Sequence, residues 1–232
     1  KKYSAELTIR GERGKTSSKK VTIDLSDGNS TDPEDVNITL DGKFEDWLEV
    51  PASMLATSNL ASHVEDLVAL KEVKLCGNDD YVFFYLKAVN DNEKFMSIQF
   101  YIDKNNDAES GFLGWYWSGI GSEFLLEGSK AEDLAPTVFE YDDEKGNGGT
   151  EWGAWTEKHA PSAKAIEISE FVVGEGDTVE VEGRILRSYL PELGRTIKVG
   201  VALVATNWSA SGLLPSKLED GSLNSPLTVK LP

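Results

Sequence analysis

Residues that build metal centres and nucleophilic sites are scarce in this sequence. Its 232 residues include one cysteine, Cys76, and two histidines, His63 and His159. A single cysteine excludes a disulfide framework and a cysteine-rich zinc site. Its place in the apolar run VKLCG predicts a buried structural thiol. Because the chain also lacks a nucleophile elbow, an HExxH motif and a P-loop, we expect a protein that is not an enzyme.

Long hydrophobic runs and an excess of positive charge are absent as well. The sequence has no run of about 18 apolar residues, the length that a membrane-spanning helix needs. Lys and Arg together number 23 against 40 Asp and Glu, which gives a net charge of -17 at pH 7. Such a chain repels phosphate backbones and anionic lipid surfaces. We therefore expect no nucleic-acid partner and no membrane insertion of this chain.

The chain divides at a segment rich in turn-forming and charged residues. Ser26–Asp35, with the sequence SDGNSTDPED, interrupts any periodic pattern and predicts a linker. Ahead of it, AELTIRG and KKVTIDL alternate polar with apolar residues. Residues 1–30 are therefore expected to form either a β-hairpin or the end of an upstream module. Residues 36–232 are enough for one domain with its own core.

Alternation with a period of two dominates residues 36–232. Ile98, Phe100 and Ile102 alternate with more polar neighbours, as expected of a strand with one face in a core. The run YVFFYLKAV, residues 81–89, is apolar on both faces. That pattern is typical of a central strand covered on both sides, or of one whose second face binds a partner.

Helical periodicity, by contrast, is weak. Short helical candidates occur only around 60–68 and 187–193, while Gly-, Asn- and Asp-rich turn signals separate the alternating runs. Many short strands divided by turns are typical of sheets packed face to face. The pattern predicts an all-β protein, an antiparallel β-sandwich with a jelly-roll-like arrangement.

The order of five motifs along residues 36–232 is the most specific signal in the sequence. They are VNITLDGKFEDWLEVP, KEVKLCGNDDYVFFYLKAVND, FYIDKNNDAESGF, GSEFLLEG and VGVALVATNWSASGLLP. The series resembles the family 9 carbohydrate-binding module superfamily, and especially its relatives in Bacteroidetes surface lipoproteins. The resemblance implies a sandwich of that type over 36–232, in an extracytoplasmic protein that is secreted or anchored to the outer membrane or cell surface. It also implies that Trp47 packs on the edge of the sandwich.

Aromatic residues near the predicted loops are the candidates for ligand contact. GFLGWYWSG contains Trp115 and Trp117, EWGAW contains Trp152 and Trp155, and TNWSASG contains Trp208. Indole rings stack on the apolar C–H faces of sugars, while neighbouring amide and acidic groups bond the hydroxyls. In a strand, Trp115 and Trp117 would share one face. The candidate carbohydrate-binding residues are Trp115, Trp117, Trp152, Trp155, Trp208 and the polar neighbour Asn207.

A loop rich in Asp and Asn is a candidate metal site. Asp103, Asn105 and Asp107 place oxygen ligands at alternate positions, as a Ca2+ loop requires. The loop lacks the glycine and the bidentate glutamate of an EF-hand, so further donors would come from elsewhere, such as Glu123 or Glu127. The alternative is that these turns only satisfy their own backbone. The resemblance implies Ca2+ as a structural cofactor, because modules of this superfamily can carry it.

Two hypotheses of function follow. The first is a non-catalytic carbohydrate-binding module of a secreted or surface-anchored bacterial protein, whose partner is a polysaccharide or oligosaccharide. The second is a structural or protein-interaction sandwich, whose aromatic residues are buried and whose partner is another subunit or a cell-surface protein. Exposure of the tryptophans distinguishes them, because a sugar platform leaves neighbouring indoles facing solvent.

Overall fold

Two antiparallel strands form the N-terminal unit. The computed structural model describes residues 2–10, 16–24 and 36–232, and the chain divides into compact units at Lys1–Asp32 and Pro33–Pro232. In the first unit, β1 (Lys2–Arg10) pairs with β2 (Thr16–Asp24), with Lys2 opposite Asp24 and Arg10 opposite Thr16. The linker predicted at Ser26–Asp35 lies outside the described residues.

The second unit contains a six-stranded antiparallel sheet. Its strands are β3 (Ala56–Asn59), β4 (Leu70–Gly77), β5 (Tyr81–Val89), β10 (Ile166–Ile168), β11 (Val172–Gly174) and β12 (Thr178–Leu186). They lie in the order β10, β12, β5, β4, β3, and β11 also pairs with β12. The run YVFFYLKAV is therefore a central strand, as predicted.

A seven-stranded antiparallel sheet forms the other layer. Its strands are β6 (Ser97–Asp103), β7 (Phe124–Ser129), β8 (Pro136–Tyr141), β9 (Trp155–His159), β13 (Thr196–Val204), β14 (Ala210–Leu214) and β15 (Leu227–Lys230). They lie in the order β14, β13, β6, β7, β8, β9, and β15 also pairs with β13. Two antiparallel sheets confirm the predicted all-β sandwich.

Helix is confined to short pieces in the part of the chain that the structure describes. Its one α-helix, α1 (Asp46–Glu49), has four residues, and a 3-10 turn at Arg187–Tyr189 is what remains of the helix predicted over 187–193. The helix predicted over 60–68 is wrong, because turns and bends interrupt this stretch, Leu67 has a φ of 58°, and Val68 forms a β-bridge with Gly212. Within the described ranges, no helix is long and apolar enough to cross a membrane.

The main core lies between the two sheets. Ile98, Phe100 and Ile102 point into it from β6, as their alternation predicted, and the rings of Phe84 and Phe100 meet there at 5.0 Å. Gln99, Tyr101 and Asp103 consequently project from the opposite, outer face of the seven-stranded sheet.

Each outer face is partly covered by an irregular segment that brings its own aromatic residues. Residues 36–55, the first cover, pack on the six-stranded sheet around Trp47, Cys76 and Phe83. Cys76 is a buried free thiol, as predicted, and burial raises its pKa to about 12. Residues 111–120, the second cover, pack on the seven-stranded sheet around Phe112 and Trp117.

Candidate functional site

Two neighbouring tryptophans remain exposed on this side of the sandwich, Trp115 in the second cover and Trp152 in the 3-10 turn before β9. The side chains of Trp115 and Trp152 are 55% and 41% exposed, and their rings stack with centroids 5.7 Å apart and planes 26° apart. Both rings stand edge-on to buried Phe112, at 5.3 and 5.6 Å. This tryptophan pair is therefore supported from below.

Contacts between two loops hold the tryptophan pair together. The backbone N–H of Leu113 donates to the carbonyl of Gly149 at 2.9 Å, and that of Gly111 donates to the Asp143 carboxylate at 2.8 Å. Gly149 has a φ of 83°, and a Cβ there would lie 2.4 Å from the Leu113 side chain. Only glycine permits both the backbone conformation and the close approach of the loops.

The base beneath the pair is an aromatic cluster. Tyr141 and Trp155 lie opposite each other on β8 and β9, with ring centroids 4.9 Å apart, and both pack against Phe112. The Tyr141 hydroxyl donates to the carbonyl of Glu151, the residue before Trp152, at 3.0 Å. Trp155 is half-buried, and its Nε1 is buried without a hydrogen-bond partner among the described residues.

Trp117, which the sequence analysis placed among the platforms, is a core residue. It is 2% exposed, its Nε1 donates to the carbonyl of Pro215 at 2.9 Å, and its ring lies flat on Gly200. Trp115 and Trp117 do not share a face as they would in a strand. The reason is that residues 115–117 form a bend and not a strand, and that glycines with positive φ flank this bend, Gly114 at 67° and Gly119 at 71°.

Asn207 and Trp208 lie away from the tryptophan pair. They occupy the turn between β13 and β14, next to the position where Val204 pairs with Ser97. This is the opposite end of β6 from Asp103, about 20 Å along the strand. Trp208 is 69% exposed, and the Asn207 side chain accepts hydrogen bonds from the N–H and hydroxyl of Ser209. The predicted set therefore separates, and Trp115, Trp152 and Trp155 come together.

Two aromatic residues of this site were missed from the sequence, Phe112 and Tyr141. Phe112 shares the glycine-flanked stretch of Trp115, which was a usable signal. Tyr141 gave no comparable signal, because its role depends on the pairing of β8 with β9.

The Asp- and Asn-rich loop forms the turns that the alternative interpretation predicted. Asp103 is buried, and its Oδ1 accepts hydrogen bonds from the N–H groups of Asn105 and Asp107 at 3.3 and 3.2 Å. The Asn105 side chain accepts a second bond from the N–H of Asp107 at 2.9 Å.

A second buried carboxylate lies beside Asp103. Glu123 accepts hydrogen bonds from the N–H of Lys104 and the hydroxyl of Ser110, at 2.8 and 2.9 Å. Burial raises the pKa of Asp103 and of Glu123, and the negative charge of Asp103 raises the pKa of Glu123 further. One ammonium group, that of Lys198, lies 3.7 Å from Asp103.

The donors around this loop fit the chemistry of Ca2+. The carbonyl oxygens of Asp107 and Ser110 approach Gly121 so closely that a Cβ there would lie 2.4 and 2.1 Å from them. With the carboxylates of Asp103 and Glu123, they would supply the hard oxygen ligands that Ca2+ takes. No group of three or more His, Cys, Asp or Glu side chains gathers as a metal site in the described ranges, so carbonyl oxygens would have to complete the shell.

Comparisons with known proteins assign no family to this geometry. No protein-family model, curated protein or solved structure matched the chain. A proposal of function consequently depends on the residues of the site.

Proposed function

We propose that this protein is a non-catalytic carbohydrate-binding module of the family 9 type, carried by a secreted or surface-anchored bacterial protein. The observation that supports it is the exposed, stacked pair of Trp115 and Trp152 on a buried aromatic base. Indole faces complement the apolar C–H faces of sugar rings.

The rigidity of the pair supports binding over incidental exposure. Single exposed apolar side chains are common on protein surfaces and need no function. Trp115 and Trp152 are instead adjacent, stacked with planes 26° apart, and both packed edge-on against Phe112. Indoles held in place before the ligand arrives lose little conformational entropy when it binds.

The geometry of the pair also defines how a sugar ring would bind. Centroids 5.7 Å apart are those of rings in direct contact, so the space between Trp115 and Trp152 is filled. A sugar would therefore stack on an outward indole face. The net charge of -17 disfavours acidic glycans, so the ligand class is neutral.

The proposal includes a structural Ca2+ at the Asp- and Asn-rich loop. Asp103, Glu123 and Asn105, with the carbonyl groups of Asp107 and Ser110, would hold the ion. When bound, Ca2+ supplies positive charge beside two buried carboxylates whose ionisation burial opposes. Thermal melting with Ca2+ and with a chelator tests this part, and an unchanged Tm in the two conditions would contradict it.

Isothermal titration calorimetry against neutral poly- and oligosaccharides tests the main proposal. The wild type is compared with Trp152→Ala and Trp115→Ala, and Trp208→Ala is the matched control, because Trp208 is exposed at the far end of the sheet. We expect each platform variant to weaken binding about tenfold or more, and the control to bind like the wild type.

The alternative function makes the opposite prediction. A structural or protein-interaction module would give no saturable heat with any member of a broad glycan panel. That result would overturn the proposed function and favour a protein partner for the exposed tryptophans.

A further inference from the structure

A row of polar side chains crosses the outer face of the seven-stranded sheet, beyond the aromatic base. Gln99 on β6 pairs with Glu127 on β7, and Glu127 pairs with Thr137 on β8. Directly paired residues of neighbouring strands point to the same side of a sheet. These three residues, Gln99, Glu127 and Thr137, therefore form one line across three strands, here called the polar row.

Direct contacts connect the polar row to the tryptophan pair. The Tyr101 hydroxyl donates to Gln99 Oε1 at 2.9 Å, and Gln99 Nε2 donates to Glu127 Oε2. The ring of Tyr101 in turn stacks on Phe112, with centroids 6.4 Å apart and planes 26° apart. Because Phe112 also supports Trp115, a continuous series of contacts runs from the exposed indoles to Glu127.

The far end of this series has unused capacity for hydrogen bonds. In the described ranges, no Lys, Arg or His forms an ion pair with Glu127. Within the described ranges, Glu127 Oε1 accepts no hydrogen bond, and the hydroxyl of Thr137 forms none. Both side chains are partly exposed. A carboxylate and a neighbouring hydroxyl are thus available to a ligand rich in hydroxyl groups.

The spacing between the two ends is longer than one sugar ring. Tyr141 in the aromatic base and Thr137 in the polar row are four residues apart on β8, which is about 13 Å along the strand. Phe139, half-buried and on the same face, lies between them. An extended ligand can therefore contact an indole and Glu127 at the same time.

We infer that the tryptophan pair and the polar row form one elongated site for a neutral oligosaccharide. One sugar ring stacks on an indole, and Glu127 accepts hydrogen bonds from the hydroxyls of a ring further along the same chain. The inference rests on the proposed function and adds two features to it, a minimum ligand length and a polar residue that recognises the second ring.

Chain-length dependence of binding tests the inference. Glucose-, mannose-, xylose- and galactose-based oligosaccharides, from monosaccharide to hexasaccharide, are titrated into the wild type, Glu127→Gln and Glu127→Asp. Glu170→Gln is the control, because Glu170 is exposed beside the six-stranded sheet. We expect affinity to rise with ligand length in the wild type and the control. Glu127→Gln should weaken the longer ligands about tenfold and leave monosaccharide binding unchanged.

Glu127→Asp and the tryptophan variants distinguish failure of the inference from failure of the proposed function. Glu127→Asp keeps the charge but retracts it, so it should also lose affinity for the longer ligands, and it replaces Glu127→Gln if that variant does not fold. Unchanged binding of all ligands in both variants overturns the inference, as does an equal loss for short and long ligands. If both Glu127 variants bind like the wild type while Trp152→Ala loses binding, the proposed function stands without the polar row. If the wild type binds none of the panel, both fail.

Discussion

On each outer face of the sandwich an irregular segment buries a tryptophan against the sheet, but only one of the two faces also leaves tryptophans exposed to solvent. On the six-stranded sheet, the first cover places Trp47 at 2% exposure, with its Nε1 donating to the buried Glu182 carboxylate at 3.1 Å. On the seven-stranded sheet, the second cover also buries one tryptophan, Trp117, but leaves Trp115 in contact with solvent beside Trp152 of the neighbouring loop.

The difference lies in what each cover gains from its tryptophans. Glu182 also accepts hydrogen bonds from the N–H groups of Asp41 and Gly42, at 3.1 and 2.8 Å, so the first cover is fastened to the sheet. Trp117 performs the corresponding role in the second cover through Pro215. Because Trp117 already secures that segment, Trp115 and Trp152 are not needed for its attachment and are available for a ligand.

The largest test of this comparison is a pair of truncations. Trp47→Ala should lower the free energy of unfolding by about 3–5 kcal/mol, because it leaves a cavity and an acceptor without its donor. Trp152→Ala should lower it by less, about 1–2 kcal/mol, because the side chain is already 41% exposed and its removal leaves no buried acceptor without a donor. Urea unfolding of both variants measures the difference. Equal losses of stability would show that the fold depends on the exposed Trp152 as much as on the buried Trp47.

A substitution at Glu182 tests how the first cover is attached to the six-stranded sheet. Glu182→Gln should cost about 1–3 kcal/mol, because an amide N–H2 cannot accept from the N–H of Trp47 or of Gly42, whereas either oxygen of the carboxyl group can, protonated or ionised. Burial raises the pKa of Glu182 in the folded protein. Its contribution to stability is therefore complete below its ordinary pKa of 4.5 and is lost as the pH rises through the folded value.

The raised pKa of Glu182 also predicts how the effect of the substitution on stability depends on pH. The stability difference between the wild type and Glu182→Gln should be largest near pH 4 and should narrow toward pH 7. Urea unfolding of both proteins across this range measures it. A difference that widens with pH would mean that the three donors outweigh the cost of burying the charge.

The smallest expected effect concerns the attachment of the second cover. A Cβ on residue 200 would lie 2.4 Å from the Trp117 ring, so Gly200→Ala should displace that ring at a cost of about 1 kcal/mol. If Trp117 fixes the segment that carries Trp115, this variant should also weaken oligosaccharide binding. Unchanged affinity in a folded Gly200→Ala protein would show that Phe112 and the contacts between the two loops position the pair without Trp117.

Most of the fold could be predicted from the sequence because strand alternation is a local property. The residues of β6 that point into the core, and the central position of β5, can both be predicted from the alternation of residues within each strand. The site could be predicted only in part. Which of Trp115 and Trp117 is exposed depends on the backbone at Gly114 and on Pro215, a hydrogen-bond partner distant in the sequence. Nothing near Trp117 in the chain carries that information.

The pairing of the central strands has a consequence for how the protein reaches its native state. β5 pairs with β12 and β6 pairs with β13, so that Tyr81 lies opposite Leu186 and Ser97 opposite Val204. Contacts between such distant residues must close long loops first, and domains built from them fold slowly. The second cover lies within both loops and rests on Gly200 of β13, so we expect its tryptophans to become ordered only in the last, cooperative step of folding. Fragments that end before β13 should show no native tryptophan signal.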